Sequence, residues 1–246
     1  MIYETEVEYP LNASLVAKGY IAYDMKNADP KPVVMVAPDW KGRSELYCDI
    51  ARKIAHLGYV GFAIDMYGNA TLGDEDSDKK ILLEPLKENR GELLQRIQSA
   101  YDYISKIAYV DASNIAAIGY CFGGMCVLDL ARSGADVKGV VSLHGILKAP
   151  NINHHKKINS KVLVLHGYED TLVNSEQLLA FADEMTERKV DWQIDIYGHT
   201  HHSFTKPDAN NLEKGLVFNA SANKRAWDAT QYFLNEIFHD MHWEAI

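Results

Sequence analysis

The sequence predicts an α/β fold: a mostly parallel central sheet, an antiparallel hairpin at its start, and helices on both faces. Two patterns predict it. Short apolar runs alternate almost strictly with amphipathic helical stretches from Val33 onward. Such alternation implies right-handed crossovers between parallel strands. Ahead of them, two strand-like segments flank a Pro-Leu-Asn turn signal, as a hairpin requires. The chain has 246 residues, a size that α/β folds commonly reach around one sheet. No linker, repeat or low-complexity tract divides it, so residues 1–246 read as one domain without a large cap.

The elements follow in order. Residues 5–9 and 15–23 form the hairpin, and the continuous apolar run 33–37 reads as a strand buried on both faces. Ser44 can cap a helix carrying Leu46, Ile50, Ile54 and Leu57, which Gly58 stops. Residues 59–64 form the next buried strand, and the polar, acidic stretch 69–80 reads as a loop. Leu93, Leu94, Ile97, Ala100, Tyr101, Ile104 and Ala108 trace one face of a long helix. A strand over 115–118 leads into a helix over 122–133, ended by Gly134. Strands follow at 137–143 and 162–166, joined by the polar stretch 148–160. A helix opened by Ser175 carries Leu178, Phe181, Ala182 and Met185, and a strand covers 192–196. Ala226, Thr230, Phe233, Leu234, Ile237 and Phe238 mark the last helix.

Composition excludes several function classes. The net charge of −9 argues against a nucleic-acid backbone or an anionic membrane surface as partner. No run of about 18 apolar residues is present, so no membrane span is expected. The N-terminus lacks the basic-then-apolar layout of a signal peptide, which makes the cytoplasm the expected location. The three cysteines, Cys48, Cys121 and Cys126, match no disulfide framework or zinc ribbon.

The chemistry centres on Gly119-Tyr120-Cys121-Phe122-Gly123-Gly124, between a strand and a helix. In the α/β-hydrolase fold the nucleophile occupies the centre of Gly-x-Nuc-x-Gly in this context. The turn is too tight for side chains two positions to either side, and Gly119 and Gly123 fill those places. Sulfur at a helix N-terminus is also favoured as thiolate by the backbone N–H groups. The competing reading is a buried, inert cysteine on a glycine-rich turn.

Triad partners follow in the order acid, then histidine. The strand 162–166 ends in Gly167-Tyr168-Glu169-Asp170, on the same rim as the nucleophile. Asp170 is the expected acid, with Glu169 as competitor. Past the strand 192–196 come His199, His201 and His202. One should be the general base, and periodicity does not choose among them. Together with Asp170, His166 and His144 they could also approach as zinc ligands, although no standard helical ligand spacing is present. The loop pair His154-His155 is expected to be solvated. Metal and cofactor are therefore both expected to be none.

These residues resemble the dienelactone hydrolase family, a branch of the α/β-hydrolases. The cysteine turn is similar to the family's Gly-x-Cys-x-Gly-Gly. Ala37-Pro38-Asp39-Trp40-Lys41-Gly42 resembles its first oxyanion loop, Asp65-Met66-Tyr67-Gly68 its Asp-x-Tyr turn, and His202-Ser203-Phe204 its catalytic histidine signature. The resemblance implies His202 as base, Asp170 as acid, and the N–H groups of Trp40 and Phe122 as oxyanion hole. It places Asp39, Lys206 and Tyr67 at the substrate. Asp39 stands where the dienelactone-cleaving members carry Glu, and Lys206 where they carry one of two carboxylate-binding arginines. Arg90 is the nearest match to the other. The expected activity is hydrolysis of a small ester or lactone through a Cys-His-Asp triad, by a monomer or homodimer. A non-catalytic binding protein on the same fold and a metal-dependent hydrolase using the histidine-rich rim are the rival readings.

Overall fold

The computed structural model describes residues 1–26, 29–74, 76–151 and 156–239. The opening hairpin is β1 (Ile2–Pro10) and β2 (Val16–Asp24), paired in register from Ile2↔Asp24 to Pro10↔Val16. Then come β3 (Lys31–Ala37), α1 (Glu45–His56) and β4 (Val60–Ala63). Strand β4 pairs antiparallel with β2 and parallel with β3. The remaining strands of the main sheet are β5 (Val110–Tyr120), β6 (Gly139–Leu143), β7 (Lys161–Gly167) and β8 (Trp192–Tyr197). The sheet has eight strands in the order β1-β2-β4-β3-β5-β6-β7-β8, parallel from β4 to β8.

Alternation along the central strands sorts side chains to two cores. Val33, Met35, Ile115 and Ala117 face one core, where α5 (Phe122–Arg132) and α6 (Ser175–Glu187) pack with the long helix Arg90–Ile104. Val34, Val36, Ala116 and Ile118 face the other, covered by α1 and the C-terminal helix Ala220–His239. Every residue of α5 is buried, as befits a helix behind the centre of a sheet.

The structure departs from the sequence expectation at several places. The stretch read as a loop over 69–80 becomes helical within it: α2 (Asp76–Asp78) runs into a π-helical turn (Lys79–Leu83) and α3 (Glu84–Glu88). Its ordering contacts come from elsewhere in the chain. Lys79 Nζ lies 4.5 Å from the centre of the Trp40 ring, and Asp76 binds Lys214 at 2.8 Å. The long helix, α4 (Arg90–Ile104), stops before Ala108. Asn89 rather than an apolar onset starts it, accepting the Glu92 N–H. Ser44 occupies its cap position without a side-chain hydrogen bond. Ser175 does open α6, with Asn174 before it as the cap, in a reciprocal bond with Gln177. A small antiparallel pair, β9 (Asn210–Asn211) and β10 (Leu216–Val217), follows His202 and is too short to show a period. The C-terminal helix is α7. His154 and His155 lie outside the described residues. Among the described residues, no helix is long and apolar enough to cross a membrane.

Candidate active site

Parallel strands deliver the site residues to one edge of the sheet. Register aligns Tyr120 with Leu143 and Leu143 with Leu165. The next residues along, Cys121 and His144 just past their strands and His166 near the end of β7, therefore lie side by side. Cys121 N–H donates to Leu143 O at 3.0 Å, and His144 N–H to Leu165 O at 2.9 Å.

The Cys121 turn is as tight as its glycines imply. Cys121 has φ 53° and ψ −110°, outside the main regions open to L-residues and held at a cost of about 1–3 kcal/mol. A Cβ on Gly119 would stand 2.1 Å from Gly123 O, and one on Gly123 would stand 2.2 Å from Ala37 O. Close approach of β3, β5 and α5 thus depends on absent side chains. All three cysteines are free; Cys48 and Cys126 are buried, whereas Cys121 is partly exposed. Burial holds the Cys48 and Cys126 thiols above the usual range.

The acids and histidines sort into separate sets. His202 Nδ1 lies 2.7 Å from Asp170 Oδ2, and both side chains are closed to solvent. Asp170 Oδ1 accepts the N–H groups of Leu172 and Val173 at 2.8 and 3.1 Å, which fixes the carboxylate. Glu169 instead holds His199 at 3.2 Å and His201 at 3.4 Å on the exposed rim. His202 Nε2 is buried and has no hydrogen-bond partner of normal geometry. Burial disfavours the imidazolium, but Cys121 and then Asp170 outweigh it and raise His202 to about 10. Among the described residues, no group of three or more His, Cys, Asp or Glu side chains is arranged to hold a metal ion.

Cys121, His202, Asp39, Trp40 and Lys206 line one cavity of about 390 Å³, in the size range of small-ligand sites. Trp40 and Phe122 each carry a backbone N–H that donates to no acceptor among the described residues. Phe122 is the first residue of α5, where helical N–H groups lack internal partners. Asp39 is buried; its Oδ2 accepts from Lys206 Nζ at 2.5 Å and its Oδ1 from Lys41 N–H at 2.9 Å. Arg90 grips Asp129 through two 2.6 Å hydrogen bonds, outside this cavity.

Tyr67 sits differently from the substrate contact expected of it. It is outside the cavity lining. Its hydroxyl donates to Trp40 O at 2.9 Å, and its ring stacks on Phe122 at 6.0 Å. It braces both residues with free N–H groups. Asp65 in turn fixes this turn by accepting the N–H groups of Tyr67, Gly68 and Ala70. His144, placed by the sequence among the residues that could approach the histidine-rich rim as zinc ligands, stands with its ring centre 5.0 Å from that of His202.

Known proteins share this architecture. The model of the dienelactone hydrolase family matches residues 18–238. A putative carboxymethylenebutenolidase of Aquifex aeolicus is 23% identical over 234 residues, spanning 92% of this chain and 96% of that protein. An uncharacterized protein of Caenorhabditis elegans is 34% identical over 154 residues, 61% of this chain and 98% of its own. Among solved structures, a dienelactone hydrolase-like promiscuous phosphotriesterase from metagenomic libraries superposes with a TM-score of 0.92. It is 34% identical, over 96% of this chain and 99% of its own. With the fold, the cysteine turn and a family match over most of its length in agreement, the chain belongs to the dienelactone hydrolase family, as a hydrolase of the α/β-hydrolase superfamily.

Proposed function

We propose that the protein hydrolyses a small ester or lactone through Cys121, His202 and Asp170, with a covalent thioacyl intermediate. The observation that carries this is the buried His202–Asp170 bond, with the free Nε2 of His202 directed to the Cys121 side of the cavity.

Cys121, its thiol proton passed to His202 Nε2, attacks the carbonyl carbon through sulfur, and the carbonyl oxygen becomes an oxyanion between the N–H groups of Phe122 and Trp40. As the intermediate collapses, the C–O bond to the leaving group breaks and His202 Nε2 gives that alkoxide a proton. The acyl group remains on sulfur. A water then loses a proton to His202 and attacks the thioester, releasing the acid and restoring Cys121. Asp170 keeps the proton on His202 Nδ1 throughout.

Lys206, at the place of one carboxylate-binding arginine, is engaged by Asp39, and Arg90, the nearest match to the other, is held by Asp129 outside the cavity. This supports neutral esters and lactones ahead of dienelactones. The name of the phosphotriesterase relative adds activated phosphotriesters as a second group worth testing. One domain, acting in the cytoplasm as monomer or homodimer, remains our reading of the chain.

The test is a panel of short-chain p-nitrophenyl esters, lactones, a dienelactone and an activated phosphotriester, run on the wild type beside Cys121→Ala. Turnover of esters or lactones by the wild type alone is the expected result. Equal turnover by Cys121→Ala would overturn the proposal.

A further inference from the structure

We propose that His144 is a positioning residue for the reaction: it fixes the ring plane of His202, so that Nε2 stays aimed at Cys121. The inference rests on the triad reading above and adds a residue to it.

The Asp170 bond alone does not hold an imidazole in place. A single hydrogen bond at Nδ1 leaves the ring free to swing about that bond and tilt Nε2 away. A second contact, on the face or edge of the ring, is needed. His144 supplies it. Its ring centre lies 5.0 Å from that of His202, at 66° between planes. It also packs edge-to-face on Phe204 at 5.2 Å and 78°. Its Nε2 lies 2.8 Å from Thr205 Oγ1. One ring thus touches three of the four residues 202–205, the segment that carries the base. The main chain of that segment is held as well, where Val217 N–H donates to His202 O at 3.1 Å.

Two features separate this from ordinary core filling. His144 has φ 38° and Ser203 has φ 60°, so the backbone is in the left-handed region on both sides of the contact. His144 is also fully buried with Nδ1 unpartnered. An apolar ring at this place would avoid that unpaired group. Strain and an orphaned polar atom gather here beside the base, as expected where function over-determines local structure.

The clamp also has to be neutral. Burial, and next the charge on His202, hold His144 well below the usual histidine range. The other groups that face it are His166, itself lowered by burial, Lys206 and the Tyr120 ring at 6.1 Å. An uncharged ring leaves the His202 imidazolium unopposed and can offer it a π face.

The experiment compares His144→Asn, which tolerates positive φ but lacks a ring, with His144→Phe, which keeps the ring but not the Thr205 bond. Folding is checked by circular dichroism and thermal melting. The first readout is the NMR signal of the His202 Nδ1 proton shared with Asp170, together with the pH dependence of Cys121 alkylation by iodoacetamide. Neither needs turnover, so this test is separable from failure of the hydrolase reading. In folded His144→Asn the shared-proton signal should broaden or move, and the alkylation profile should shift. On an ester turned over by the wild type, kcat should fall by roughly tenfold or more with KM little changed. His144→Phe should retain more of the kcat than His144→Asn. An unchanged proton signal and alkylation profile in folded His144→Asn would overturn the inference. So would a loss of activity that only tracks the folded fraction.

Discussion

His202 Nδ1 and Asp170 Oδ2 stand 2.7 Å apart in a pair almost wholly closed to solvent, while the adjacent Glu169 takes His199 and His201 on the exposed rim. Two neighbouring acids are thereby divided among three neighbouring histidines. Asp170→Asn should lower kcat by roughly 10²–10⁴-fold, because the amide favours the wrong tautomer of His202. Glu169→Gln should change it by less than about threefold, since screened surface pairs contribute little. Steady-state kinetics on an activated ester checks both. Equal losses would reverse the assignment.

Cys121→Ser should lower turnover by at least about 10³-fold even though it keeps a hydroxyl in place. The His202 charge relation is matched to sulfur, and a hydroxyl is a far weaker nucleophile at its ordinary pKa. Mass spectrometry of the wild type mixed with a slow ester should show a thioacyl adduct on the peptide containing Cys121.

The raised His202 value gives a pH test with a definite sign. Cys121 is the largest influence raising it to about 10. By NMR titration, Cys121→Ala should bring His202 down. A group whose folded pKa is raised adds stability that is complete below the unfolded value of about 6.5. That stability declines above it and is gone once pH passes about 10. Chemical denaturation of the wild type minus Cys121→Ala, measured across pH 6 to 10, should show a difference that shrinks as pH rises.

Lys206→Ala should destabilise by about 3–5 kcal/mol, because it leaves the buried Asp39 carboxylate without its 2.5 Å cation. The double change with Asp39→Asn should recover part of that loss in a urea melt. Full additivity of the two losses would show that the pair is not coupled.

Gly123→Ala should cost more than about 3 kcal/mol or prevent folding, since the new Cβ meets Ala37 O at 2.2 Å between two parts of the backbone. Gly198→Ala, with open space around its Cβ, should shift the melting temperature by no more than a degree or two. Thermal melts of the two variants make the comparison.

Much of this was legible in the residues. Apolar runs with no alternation marked β3, β4 and β5 to β7, because strands buried on both faces need no polar side. The tight turn at Cys121 was legible because only glycine fits two residues to either side. Within the stretch 69–80 read as a loop, the part from Asp76 onward is helical because the forces that order Asp76–Leu83 are long-range: the Trp40 ring beneath Lys79, and Lys214 against Asp76. Ala108 matches the helical spacing, but α4 ends at Ile104 and the chain then turns, with Ile107 N–H donating to Ile104 O and Val110 N–H to Ile107 O.

The sequence alone determined the fold class, the strand-turn-helix around Cys121 and the chain order of acid and histidine, since each follows from local sterics or short periods. The sequence left the pairing of two acids with three histidines to a resemblance, and it left the place of Tyr67 beneath the oxyanion loop and the contact of His144 with His202 unspecified. Those were decided by tertiary structure, because they depend on which strand ends lie side by side in a parallel sheet and on which polar groups then find partners away from water.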